Sequence, residues 1–467
     1  MLDRFWRSGV LIAIAATMAT GQTQIDAASA QKILDRLDRL ETENKQLLEE
    51  IVDLRKELES ARATPATHPA EPANPQPPGP VSPQPQQAQI EEQVQVQETR
   101  TAELDQKKVE SSQKMPLQLT GMLLFNAFDN GAYAGSSLPD PVEASSTPGD
   151  RYSGATFRQT VLGLTFSGPQ LPLGGTVSGS VYMDFFGSAA APGSNLFRLR
   201  LATVNLNWKN TTITVGQDKP IISPRDPVSL AQVGVSPLTG AGNLWEWEPQ
   251  VRIEQRFHLT DQFQIAAQGG VYMSDEGANM IPAQYASTLE QWRPAYQGRV
   301  EFTYASGTKR FEIAPGYSAS TTHVIGESVD SRVASLDWLV RPSKWWDFTG
   351  EWFGGRNFAG LGSLRQGFAI LSSGEVIPVQ GYGAWGQITL NATPRWSFHF
   401  FGGEEDDRAR DLAGNAISRN WIYGANTIYR LTPNVLTAFE ISQVRTAYLI
   451  TGLRQNNHYD LALAYLF

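Results

Sequence analysis

The chain has 467 residues, a formal net charge of −9, 18% charged and 41% hydrophobic residues, and no cysteine. That length allows one large core or several units, and the missing cysteine excludes disulfides, thiolate metal sites, a cysteine nucleophile and a lipidated N-terminal cysteine. His68, His258, His323, His399 and His458 lie too far apart in sequence to point to a metal centre, no motif asks for a cofactor, and 41 glycines with 10% aromatics suit a β architecture better than a helical enzyme.

Residues 1–28 read as an export signal. Arg4 and Arg7 precede a short apolar run from Val10 to Ala19, and small residues follow through Ala27, Ala28, Ser29 and Ala30. The run is too short to cross a bilayer as a helix, and cleavage is expected between Ala19 and Ala28. No later stretch reaches a bilayer-spanning length of apolar residues, which excludes helical insertion.

Residues 29–62 carry an unbroken heptad, with Leu37, Asn44, Ile51 and Leu58 at a and Ile33, Leu40, Leu47 and Leu54 at d. A helix with that seam hides it by supercoiling with partners. Leu34 and Leu48 at e widen the stripe and favour a trimer, whereas Asn44 at an a position fixes register and in some contexts favours dimers. An amphipathic helix packed on a domain is the alternative. Residues 63–114 form the next unit, with nine prolines between Pro65 and Pro85 and then a Gln/Glu/Lys-rich run. This composition predicts a disordered, semi-stiff linker.

From residue 115 to 467 the chain alternates apolar and polar residues in sixteen segments, near 117–128, 156–167, 176–186, 196–208, 211–218, 249–258, 261–273, 295–305, 309–318, 331–341, 344–355, 379–391, 394–403, 417–430, 433–445 and 457–467. Trp208-Lys209-Asn210, Ser306-Gly307-Thr308, Arg341-Pro342-Ser343, Asn391-Ala392-Thr393 and Leu431 to Asn434 read as tight turns. Long polar loops are expected near 129–155, 219–247, 274–294, 356–378 and 403–416. Short turns at one end and long loops at the other are the asymmetry of an antiparallel transmembrane β-barrel. An even strand number returns both chain ends to the short-turn side.

Several segments divide into two faces. Val251, Ile253 and Phe257 oppose Arg252, Glu254, Arg256 and His258; Tyr296, Val300, Phe302 and Tyr304 oppose Arg299 and Glu301; Trp346, Phe348 and Trp352 oppose Asp347 and Glu351. A charge facing hydrocarbon costs about 2–4 kcal/mol for Arg or Lys, so the charged faces line the interior. Sixteen strands leave an aqueous channel. Trp208, Trp345, Trp396, Tyr423, Tyr429 and Tyr465 near segment ends fit interfacial girdles. The last strand places Tyr459, Leu461, Leu463, Tyr465 and Phe467 on one face, and an aromatic terminus at Phe467 reads as an assembly signal.

The loop after the fifth strand begins Lys219-Pro220-Ile221-Ile222-Ser223-Pro224-Arg225-Asp226-Pro227 and ends near Trp245-Glu246-Trp247. Its prolines and aliphatic residues are more than an exposed loop needs. It is expected to fold inward and narrow the channel, with Lys219, Arg225 and Asp226 facing Arg252 and Arg256 across the lumen as a charged eyelet. The alternative is an external loop packed at a subunit interface. Gly381-Tyr382-Gly383-Ala384-Trp385-Gly386 matches a phosphate-loop pattern but lies within a strand, where its glycines ease curvature or close packing. Basic residues are not clustered enough for nucleic acid.

The signal, coiled coil, Pro-rich spacer, sixteen strands, long fifth-strand loop and terminal Phe467 together resemble Gram-negative trimeric outer-membrane porins. The variant with a periplasmic coiled coil is similar to the DcaP-like porins. That resemblance implies a homotrimer in outer-membrane lipid, an N-terminal region in the periplasm, and uptake of small hydrophilic, often anionic, solutes. After residue 114 there are 25 basic and 29 acidic residues, a balance that does not declare a charge preference. Passive diffusion through the channel is the leading expectation. The alternative is a structural protein that grips peptidoglycan or another periplasmic partner through its coiled coil. A barrel enzyme would need a nucleophile, base and orienting group, and no such motif is present.

Overall fold

The structure, a computed structural model, describes residues 117–135, 139–187, 195–275, 281–290 and 292–467. The expected signal, coiled coil and linker lie outside the described residues. The rest is a closed antiparallel barrel of sixteen strands. Its first half comprises β1 (Leu117–Asn130), β2 in two segments (Tyr152–Thr156 and Val161–Leu171), β3 (Gly175–Asp184), β4 (Arg198–Asn207), β5 (Thr211–Asp218), β6 (Glu248–His258), β7 (Phe263–Asp275) and β8 (Trp292–Ser306). The second half comprises β9 (Lys309–Val324), β10 (Glu327–Ser343), β11 (Trp346–Arg356), β12 (Gln380–Thr393), β13 (Trp396–Asp407), β14 (Ile417–Thr432), β15 (Val435–Tyr448) and β16 (Gly452–Leu466). Each strand pairs with its neighbours in sequence, and β16 closes on β1 with Leu123 opposite Tyr465 and Phe125 opposite Leu463. All sixteen alternating segments of the sequence are therefore wall strands.

Because strand side chains alternate faces, each strand has one apolar outward row. Tyr459, Leu461, Leu463 and Tyr465 are all exposed on the outside of β16, as are Val251, Ile253 and Phe257 on β6 and Trp346, Phe348 and Trp352 on β11. The inward rows hold Asp460, Glu440, Glu351 and Asp337, which are buried. Trp396 meets Tyr429 edge-on at 5.8 Å, and Tyr465 stacks beside Phe467 at 6.3 Å, all at the short-turn end.

Two expected turns move. Arg341-Pro342-Ser343 belongs to β10 and Asn391-Ala392-Thr393 to β12, each paired past a bulge, so the turn tips fall at Lys344-Trp345 and Pro394-Arg395. The length asymmetry also has exceptions at the long-loop end. Ile325-Gly326 joins β9 to β10, and 449–451 joins β15 to β16. At the first of these the strands themselves grow, to 16 and 17 residues. Their extensions, through Ser318, Ser320, Thr322, Ser328 and Ser331, are too polar to show the apolar alternation that marks a strand.

The apolar cores lie inside the barrel, between the loops and the wall. One joins Ile222 and Leu244 of the 219–247 loop to Tyr272, Ala295, Val333 and Phe353 of the wall and to Phe358 and Leu361 of the 357–379 loop. Another joins Ala144 of the first loop and Leu238 and Ala241 to Trp385, Phe401, Ile422 and Val444. Each fully buried aliphatic side chain of this kind contributes roughly 2 kcal/mol. At the long-loop end these clusters hold the loops against the inner wall.

Candidate functional site

The 219–247 loop enters the barrel, as its buried Ile221, Ile222, Leu230, Leu238 and Leu244 require. It is not an external loop. Ser223 N–H donates to the Pro220 carbonyl at 3.1 Å, turning the chain inward just after β5. From there it follows the wall as a hoop. Gln297 of β8 accepts from Ile221 N–H at 2.5 Å, and Ser335 of β10 donates to the Ile222 carbonyl at 3.1 Å. Val228 donates to Gln387 of β12 at 2.7 Å and accepts from Asn426 of β14 at 2.8 Å. Ser229 donates to Glu440 of β15 at 2.6 Å, and Asn126 of β1 donates to the Leu230 carbonyl at 2.8 Å. Gln159, in the break of β2, takes the Val233 and Gly234 N–H groups at 2.6 and 2.7 Å. Arg200 of β4 donates to the Val233 carbonyl at 2.7 Å and its neighbour Arg198 to that of Gly234.

The loop therefore starts beside β5 and reaches β4 from the opposite direction. The fourteen residues from Ile221 to Gly234, extended at about 3.3 Å each, give about 46 Å of chain, enough for a ring of roughly 7 Å radius. Asp184 holds its end by accepting from Arg198 at 2.6 Å and Arg200 at 3.1 Å, and both guanidinium groups lie within 5 Å of the Trp247 ring centre. The returning limb, 235–247, packs on bare wall backbone. A Cβ on Gly403 would lie 2.2 Å from the Ala241 carbonyl, and one on Gly383 would lie 2.9 Å from the Gly242 Cα. The glycines of the Gly381–Gly386 pattern thus include a close-packing site against this loop.

Below the hoop, toward the turn end, a recess of about 380 Å³ is lined by Pro224, Arg225, Glu254, Arg256, Arg299, Glu301, Arg310 and Glu312. Asp337 sits behind it, fully buried, accepting from Arg225 Nε at 2.8 Å and from Arg299 Nε and Nη2 at 2.7 and 2.8 Å. Arg299 also donates to Glu301 at 2.7 Å, and Arg225 reaches Glu312. Burial opposes the Arg225 charge, but the hydrogen bonds and charges of Asp337 and Glu312 outweigh it and raise its pKa.

Arg225, Glu254, Arg256, Arg299 and Glu301 come together along one side of the lumen. Arg225 shares the recess with Arg256 and does not face it across the lumen, because the hoop hugs the wall. Lys219 and Asp226 pair with each other outside this recess, with Asp226 also taking the Ser236 hydroxyl at 2.8 Å. Burial lowers the Lys219 pKa to about 8, with Arg200 adding to the effect and Asp218 and Glu351 opposing it. Arg252 pairs with Asp218 at 2.8 Å. Arg310, Glu312 and Asp337 were not anticipated, although the parity that turns Phe311 and Ile313 outward turns Arg310 and Glu312 inward. Arg198 and Arg200 were hidden by a register shift between β3 and β4 that brings both inside.

No protein-family model matches the sequence, and no curated protein matches it. Solved structures share the fold. The outer-membrane channel DcaP of Acinetobacter baumannii aligns with 75% of this chain and 97% of its own, at 17% identity and a TM-score of 0.63. The anion-selective porin from Comamonas acidovorans aligns with 75% and 99%, at 14% identity and a TM-score of 0.50. The likeness to DcaP-type channels expected from the layout holds at the level of fold, a closed sixteen-stranded porin-type barrel.

Proposed function

We propose that the protein is an outer-membrane porin, a water-filled channel through which small hydrophilic solutes diffuse passively. The observation that carries this reading is the hoop, fixed inside a barrel whose outer belt is apolar and whose inner wall is charged. A belt of that kind suits hydrocarbon, and a charged inner wall suits water. The turn end, where Leu117 begins and Phe467 ends, then faces the periplasm, with the signal removed and the N-terminal coiled coil and linker on that side.

A homotrimer fits the uneven height of the wall. At 8 residues, β5 rises only about 20 Å along a barrel axis tilted ~40°, less than the ~25 Å apolar band that lipid requires. Five strands further round, β10, with 17 residues, has length to spare. The short side suits a protein neighbour and the long side suits lipid.

The recess favours small anions. Arg256 and Arg310 are 41% and 50% exposed there, whereas their partners Glu254 and Glu312 are 16% and 3% exposed. A passing solute meets guanidinium first. Reconstitution into planar bilayers tests the whole reading. Stepwise conductance with three equal sublevels supports a trimeric porin, and a reversal potential of anion sign in a salt gradient supports the preference. A barrel that inserts and stays silent overturns the channel.

A further inference from the structure

The hoop's far limb closes against an irregular stretch of β2. Between the two segments of β2, pairing with β1 jumps from Asn126 opposite Thr156 to Met122 opposite Val161. Four residues of β2 therefore stand opposite three of β1, a bulge that costs ladder hydrogen bonds and breaks the alternation of faces. Its product is that Arg158, Gln159 and Thr160 are all buried in succession. Thr160 repairs part of the lost ladder, its hydroxyl accepting from Leu124 N–H at 3.1 Å. Gln159 is turned onto the hoop.

All four hydrogen-bonding positions of the Gln159 carboxamide are used, the full capacity of that group. Its oxygen accepts from Val233 and Gly234, and its nitrogen donates to the Ala231 carbonyl at 2.5 Å and to Asn126 Oδ1 at 3.2 Å. Asn126 in turn donates to the Leu230 carbonyl and, at 2.9 Å, to Asp460. The hoop's far limb, 230–234, thus hangs on two linked wall carboxamides, with Arg198 and Arg200 beyond them. Leu230 and Val233 of this limb also pack on Leu124, Leu436, Ala438, Ala462 and Ala464 of the wall, but the backbone groups from Leu230 to Gly234 find their partners in polar wall side chains.

We propose that Gln159, seconded by Asn126, is the positioning residue that clasps the far limb to the wall and so holds the aperture at a fixed width. The hoop is then a static diaphragm, not a gate. The idea rests on the channel reading above, deepening it to say what sets the aperture. With the clasp removed, limb 230–234 leaves the wall and enters the lumen, interrupting the current.

Single-channel recording of the full-length protein tests it with three variants. Gln159→Asn keeps a buried carboxamide but withdraws it by one methylene, and Gln159→Leu abolishes it. Asn456→Leu alters another buried carboxamide, on β16, that makes no bond to the hoop. Steady current is expected from the wild type and from Asn456→Leu. Brief closures are expected from both Gln159 variants, with closed-level occupancy raised about tenfold or more, equivalent to ~1.4 kcal/mol. Asn126→Leu should flicker likewise, and the double variant should add little, as for residues in one network. Assembled Gln159 variants that conduct as steadily as the wild type overturn the clasp, as does equal flicker from Asn456→Leu. A silent wild type would instead count against the channel itself.

Discussion

Asp337 offers the sharpest test of how the recess handles charge. Around it stand Arg225, Arg256, Arg299 and Arg310 against Glu254, Glu301, Glu312 and Asp337, four charges of each sign. Asp337→Asn removes one negative charge and leaves a surplus of one positive. At about 6 Å from a passing ion in water, a unit charge is worth about 0.7 kcal/mol. It attracts anions and repels cations by that amount, about 1.4 kcal/mol in their ratio. Screening at 0.1 M salt, where the Debye length is about 10 Å, reduces this to roughly a fourfold gain in anion-over-cation permeability. Reversal potential across a KCl gradient reads the ratio directly, and the gain should shrink in 1 M salt. Arg225→Gln should shift the ratio by a similar factor toward cations. Both arginines keep another carboxylate when Asp337 is neutralised, Glu312 for Arg225 and Glu301 for Arg299. The barrel should therefore still assemble, which its heat-modifiable migration in gels can verify. A conducting Asp337→Asn channel whose reversal potential is unchanged, or moves toward cations, would refute the argument that the recess lies on the permeation path.

Other consequences can be checked separately. Because burial lowers the Lys219 pKa to about 8, raising pH from 7 to 9 should remove a positive charge beside the hoop, and anion preference should fall over that interval. Lys219→Met should show the lower preference at both pH values, with no change between them. Deleting Phe467 removes two closing bonds, Gly121 N–H to the Phe467 carbonyl at 3.0 Å and Phe467 N–H to the Gly121 carbonyl at 3.2 Å. Those bonds are worth about 2 kcal/mol together, and the assembled fraction recovered from outer membranes should drop several-fold if Phe467 is the assembly signal. Deleting residues 30–62 should lower the heat resistance of the proposed trimer while leaving a conducting barrel, as recorded by gel migration and bilayer conductance.

Strand identity was legible because each outward row must be apolar and each inward row need not be. Val251, Ile253 and Phe257 announce β6 without any tertiary information. Where that contrast weakens, so does the reading. The extensions of β9 and β10 have small hydroxyl residues on the inward row and little apolar contrast, and only pairing with each other reveals them as strand. Turn positions slipped for a related reason. Bulges near Asn391 and Val340 insert residues that alternation cannot count. The inward fold of the 219–247 loop was legible from composition, since Ile221, Ile222 and Leu230 would be stranded in water otherwise.

The course of that loop was not legible, and the reason lies in what an inward polar residue means. A strand position facing the lumen can meet water or meet protein, and alternation does not distinguish the two. Asn126, Gln159, Gln297, Gln387, Asn420 and Asn426 are polar side chains that alternation alone would leave to water, yet all are buried and all bond to loop backbone. A loop without regular secondary structure inside a barrel brings many unpaired N–H and carbonyl groups, each costly to bury alone. A carboxamide can both donate and accept, so it suits that irregular backbone better than a carboxylate or an ammonium. Charged wall residues also meet the loops, Glu440 at Ser229, Glu351 at Ser223, Glu405 at Leu364 N–H, and Arg200 and Arg198 at the Val233 and Gly234 carbonyls, but the half-exposed charges gather where the hoop leaves the wall open, around Arg256 and Arg310. On the inner wall, exposed charge therefore marks the water-facing surface, whereas buried carboxamides mark surface that the loop covers. It follows that replacing a clasping carboxamide should disturb the steadiness of the channel more than its charge preference, whereas replacing a recess charge should do the reverse.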